Sequence, residues 1–135
     1  MKIATIVLAA AVLVPSTVGL TAAQAHHIKA SLVSVGNSGI TGVVQLEALP
    51  HGGTNIHVVA RGLTPGTDYL SLYYDNHSCQ LEPYSEDDVV GTYAADRAGV
   101  GKTHSKVDDD LDEINSVSVR RASDFALLAC ADVHP

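Results

Sequence analysis

Two cysteines, seven histidines and fifteen acids are the side chains in this 135-residue chain with the most obvious chemical potential. His26 and His27 are adjacent, and a free amine beside an imidazole chelates copper(II) well. They would form a copper site if the chain were cut just before them; the alternative is a mobile terminus that holds nothing. Tyr69, Ser71 and Tyr73 alternate onto one side of a strand pattern, as do Ser118 and Arg120 further along. A guanidinium beside phenol hydroxyls suits a small anion or a partner's carboxylate. The competing reading pairs Arg120 with a local acid such as Asp124 and makes it structural. His77 stands near Asp75, but no second imidazole lies at ligand spacing. His51, His57, His104 and His134 are scattered over turns and strand faces.

The acidic run 108–113 lacks the glycine and the alternate-position spacing of a calcium loop and reads as a solvated connection. No Ser-His-Asp order and no phosphate-binding glycine loop is present. The paired carboxylates fall in polar runs, with no apolar pocket to raise a pKa. Catalysis by these routes has no support.

The elements that must position these residues are strands. Residues 1–25 read as a secretory signal: Lys2, an apolar run over 3–14, then Ala23-Gln24-Ala25 as a small-x-small cleavage site. The apolar run is short and broken by Pro15, so no stable membrane anchor is expected. Residues 26–135 read as one domain. Patterns of period two over 30–35, 40–49, 54–63, 67–75, 89–95, 100–107, 114–120 and 125–133 alternate with Gly, Pro, Asn and Asp, giving about eight short strands of a sandwich or barrel. In 54–63, Ile56, Val58 and Ala60 share one face and His57, Val59 and Arg61 the other.

Export favours an oxidising compartment, secreted or periplasmic, and a disulfide between Cys79 and Cys130 over two buried thiols. Without Lys2, seven basic residues face fifteen acids, a net charge of −8. That balance argues against nucleic acid and anionic membranes as partners.

Several motifs carry a family resemblance. Gly62-Leu63-Thr64-Pro65-Gly66 leads into 67–73, Ala95-Asp96-Arg97-Ala98-Gly99-Val100 forms a second turn, Ser116-Val117-Ser118-Val119 precedes Arg120, and Leu128-Ala129-Cys130 closes the chain. In this order they resemble copper/zinc superoxide dismutase over most of 30–133, which implies an eight-stranded Greek-key barrel or sandwich. The resemblance places the family's His-x-His copper pair at Ser71 and Tyr73, its later copper histidine at Arg120 and its anion-steering arginine at Leu127. The zinc loop shrinks to 80–91 and holds no histidine. Copper cycling requires neutral imidazoles and zinc a tetrahedral set of imidazole and carboxylate ligands; serine, tyrosine and arginine rebuild neither site. If the family's strand pairing holds, Tyr73 and Arg120 approach each other. The chain is also similar to chordin-type domains, exported β domains said to resemble this scaffold, and no motif selects between the two.

The expectation is therefore a non-catalytic, metal-free pseudoenzyme of dismutase type, a binding or structural module whose partner is an extracellular protein or a small anion. Its possible ligand face is Ser71, Tyr73 and Arg120. The alternative is an atypical dismutase or copper-binding protein using His26 and His27.

Overall fold

The structure, a computed structural model, describes residues 10–15 and 26–135. Residues 10–15 are exposed and irregular. The rest of the segment read as an export signal, with its Ala23-Gln24-Ala25 site, lies outside the described residues. No helix among the described residues is long and apolar enough to cross a membrane.

Eight strands form: β1 (His27–Ser34), β2 (Thr41–Ala48), β3 (Thr54–Arg61), β4 (Asp68–Tyr74), β5 (Val89–Ala94), β6 (Gly101–Val107), β7 (Ser116–Arg121) and β8 (Leu127–Asp132). They match the periodic segments of the sequence to within a few residues, because each run is bounded by residues that terminate strands locally. Two single 3₁₀ turns, Glu86–Asp88 and Leu111–Glu113, are the only other regular elements among the described residues. The antiparallel order is β5-β4-β7-β8-β1-β2-β3-β6. The two end strands, β5 and β6, pack beside each other, so the all-β sheet curls into a nearly closed barrel.

The seam is tight. A Cβ on Gly101 would lie 2.7 Å from both Leu63 Cδ1 and Tyr93 Cδ2, so β6 fits there only without a side chain.

The interior is aliphatic. Val44 and Leu46 of β2, Ile56 and Val58 of β3, and Val117 and Val119 of β7 are at most 1% exposed. Each contributes about 1.5–3 kcal/mol by leaving water. With no tryptophan and one phenylalanine in the chain, tyrosines supply the large inward side chains: Tyr69, Tyr73 and Tyr93. On β3 the sequence alternation is realised, with Ile56, Val58 and Ala60 inside and His57 and Arg61 exposed.

A second apolar layer lies outside the barrel wall. Leu70, Leu72 and Tyr74 of β4 and Cys79 are buried there, with Val89, Phe125, Leu127 and Cys130 packed around them. The segments after β4 and β7 cover this layer, and the Cys79–Cys130 disulfide fastens the first of them to β8.

Candidate functional site

The β4–β7 wall carries the side chains that the sequence singled out, and strand parity sorts them. Tyr69, Ser71 and Tyr73 share a face, as their spacing requires, and that face is the barrel interior. Ser71 Oγ lies 2.8 Å from the Tyr93 hydroxyl. The Tyr69 hydroxyl accepts from Thr64 N at 2.9 Å. The Tyr73 hydroxyl donates to the Asp87 carbonyl at 3.2 Å. Burial pushes the Tyr93 phenol up to about 12. Burial, followed by the charges of Asp109 and Asp88, raises Tyr73 well above the ordinary phenol range. These are neutral, hydrogen-bonded core groups.

Arg120 points the other way. Register pairs it with Leu70, so it lies with the even-numbered residues of β4 on the outer layer. Ser71 and Tyr73 therefore do not share a face with Arg120, and Tyr73 does not approach it. The phenol that meets the guanidinium is Tyr74, one residue further on. Arg120 Nε donates to the Tyr74 hydroxyl at 2.9 Å, and that hydroxyl lies 2.8 Å from Ser118 Oγ. Nη1 donates to the Phe125 carbonyl at 2.7 Å and Nη2 to the Cys79 carbonyl at 2.8 Å.

Arg120 is only 7% exposed, yet among the described residues no carboxylate pairs with it. Asp124, the acid proposed for it, binds Arg121 instead at 2.9 Å.

Cys79 and Phe125 are the two non-glycine residues among those described with positive φ, at 56° and 60°. Left-handed backbone costs an L-residue about 1–2 kcal/mol and turns its carbonyl away from regular pairing. One guanidinium binds both of these carbonyls. Arg120 thus ties the segment after β4, the β7–β8 connection and the phenol of β4 to one point. Ser116 adds to this, its hydroxyl accepting from Cys79 N at 3.2 Å and donating to the Asn76 carbonyl. Among the described residues every buried side-chain nitrogen and oxygen has a partner, so no polar atom of this wall is left wholly unpaired for a ligand.

The remaining candidates separate. His77 Nδ1 lies 2.8 Å from Asp132 Oδ1 and not against Asp75; that contact is the first cause of the lowered Asp132 carboxyl pKa. His26 lines a cleft of about 450 Å³ with Ile28, Leu49, Asp112 and His134, while His27 is exposed on β1 and takes no part in it. The His134 ring nitrogen Nε2 lies 3.0 Å from the Leu111 carbonyl. Among the described residues no three His, Cys, Asp or Glu side chains gather as metal ligands. The acidic run folds over the end of β3: Asp110 Oδ1 accepts from Gly53 N at 2.9 Å, and Thr54 Oγ1 donates to the Asp109 carbonyl at 2.8 Å. Partial burial raises the Asp109 carboxyl, an effect that the nearby Tyr73 hydroxyl partly opposes.

Sequence reasoning missed Tyr74, Ser116 and Phe125. Tyr74 was within reach, since it shares the parity of Leu70 and Leu72; the Phe125 carbonyl had no sequence signal at all. No model of a known protein family matches this chain, and no curated protein matches it.

Proposed function

We propose that the chain is an exported, non-catalytic barrel of the copper/zinc superoxide dismutase type, serving as a binding or structural module. The observation that carries the non-catalytic part of this reading is Arg120. The resemblance puts a copper-binding histidine at that position. Here a permanently charged guanidinium repels a metal cation and commits Nε and both Nη atoms to backbone and phenol oxygens. Leu127, at the place of an anion-steering arginine, is part of the apolar outer layer.

The strand order supports the Greek-key form of the reading. β3 lies beside β6 and the chain crosses to β4, which pairs with β5, so β4 to β6 fold back onto β3. The disulfide supports export to an oxidising compartment.

The competing copper reading draws on the cleft beside His26, though His27 stands apart from it. Metal analysis and superoxide turnover of the mature protein decide between them. The expected result is neither copper nor zinc at stoichiometric level, no turnover, and a melting temperature unmoved by a strong chelator. Copper near one equivalent, with turnover abolished by His26→Ala, would overturn the proposal.

A further inference from the structure

Charge is strongly segregated between the walls of the barrel. Register sets the outward side chains of β1, β2, β3 and β6 in rows across the four strands. One row runs His27, Glu47, Asn55, Lys106; the next Lys29, Gln45, His57, His104; the third Ser31, Val43, Val59, Lys102. Arg61 extends the face at the end of β3. Lys29, Arg61, Lys102, Lys106 and the three histidines are all exposed. Glu47 is the single acid at these outward positions, although the chain holds fifteen acids and eight Lys and Arg. Counting histidine neutral, four cations against one acid leave this wall at +3, so the rest of the chain carries −10 of a total of −7.

We propose that this wall is a docking surface for a linear anionic polysaccharide. The net acidity of the chain describes its long-range field; a ligand over the second and third rows and Arg61 meets the opposite sign, since charges beyond about 8 Å are screened at physiological salt. The acidic run 108–113 borders the first row through Gly53 and Thr54. Four strands at about 4.8 Å spacing make a face about 15–20 Å wide, room for a narrow chain laid across it. His57 and His104 stack in the middle with centroids 4.1 Å apart. Beside them His57, Val59, Lys102 and His104 border a shallow hollow of about 260 Å³, where a sugar ring would put its acidic group next to Lys102.

Other anionic partners fit less well. No Phe, Tyr or Trp stands at the outward positions of these strands to stack on bases. A duplex or a lipid surface reaches past the wall to the acidic remainder, where it is repelled. A protein partner would need a large apolar or aromatic anchor at the centre; Gln45, His57 and the half-buried Val43 and Val59 stand there, and no aromatic ring other than histidine does. The inference rests only on the binding half of the reading above. A superoxide assay can defeat that reading and leave this one standing, and the converse holds for the experiment that follows.

The test measures affinity of the mature protein for dextran sulfate and for polygalacturonate across a salt series. Neutral dextran, duplex DNA and phosphatidylglycerol vesicles serve as comparisons. About four contacts to a single-stranded polyanion predict a log–log salt slope near −3, a loss of roughly 50-fold between about 50 and 200 mM salt. Lys102→Ala with Lys106→Ala should cut the slope to about half and weaken low-salt binding at least tenfold. Arg97→Ala with Arg121→Ala, which removes two cations off the wall, should change little. Preference for sulfate or for uronate tells which acid group is read, and either supports the proposal. It is overturned if neither polysaccharide binds, if the two double variants behave alike, or if DNA or vesicles bind as tightly at equal charge concentration.

Discussion

Replacing Arg120 by methionine keeps much of the side chain's bulk and removes all three of its hydrogen bonds. Bonds from a charged donor are worth about 1.5–3 kcal/mol each, or about 4–9 kcal/mol for the set. Against this stands the cost of holding an unpaired guanidinium at 7% exposure, several kcal/mol. A second route gives a comparable figure: the variant strands the Cys79 and Phe125 carbonyls, each costing about 1–3 kcal/mol when left unpaired. Tyr74 keeps Ser118 as a partner and adds little to that loss. The expected destabilisation is about 3 kcal/mol, which for a domain of this size lowers Tm by about 12 °C. Urea unfolding at neutral pH under oxidising conditions measures it, with an unchanged m-value showing that only stability has moved. Arg120→Lys should recover little, because a single ammonium cannot span acceptors on three segments. A methionine variant as stable as the parent would refute the argument: desolvation would then cancel the bonds, and the two left-handed residues would hold their conformation unaided.

Three further outcomes follow from the same structure. Cys79→Ser opens a loop of 51 positions and should cost about 4 kcal/mol in the chain-entropy model, read as a fall in Tm under oxidising conditions that vanishes once both proteins are reduced. Tyr93 is raised from 10.0 to about 12, so the unfolded chain loses this proton first; its stabilisation is intact below pH 10 and drains away as pH rises to about 12, near 1.4 kcal/mol per unit for this phenol. The raised Tyr73 adds a loss of the same sign over that window, so Tyr93→Phe should make the slope shallower. Urea midpoints that stay flat over that window, or an early rise in phenolate absorbance, would contradict the buried placement of Tyr93. Tyr74→Phe removes the hydroxyl shared by Arg120 and Ser118 and should cost about 1–2 kcal/mol, visible in the same urea assay and smaller if Arg120 is already methionine, where only the bond with Ser118 is left to lose.

What the sequence determined by itself is local. Period-two patterning and turn residues delimit all eight strands, because those signals act within a few residues of each other. Two cysteines in a chain with an export-like start leave one possible intramolecular pairing. On β3 the sequence also settles which face is inside, since Ile56, Val58 and Ala60 oppose His57 and Arg61. On β4 it does not. Leu70, Leu72 and Tyr74 are as apolar as Tyr69 and Tyr73, and six of the strand's seven residues are buried. With a hydrophobic layer on both sides, alternation says that the faces differ but not which one points inward. The register with β7, which sets Leu70 opposite Arg120, decided it and moved the guanidinium from Tyr73 to Tyr74. The basic wall needed the tertiary structure for the same reason. Lys29 and Lys106 are far apart along the chain, and only the pairing of β1, β2, β3 and β6 makes one surface of them.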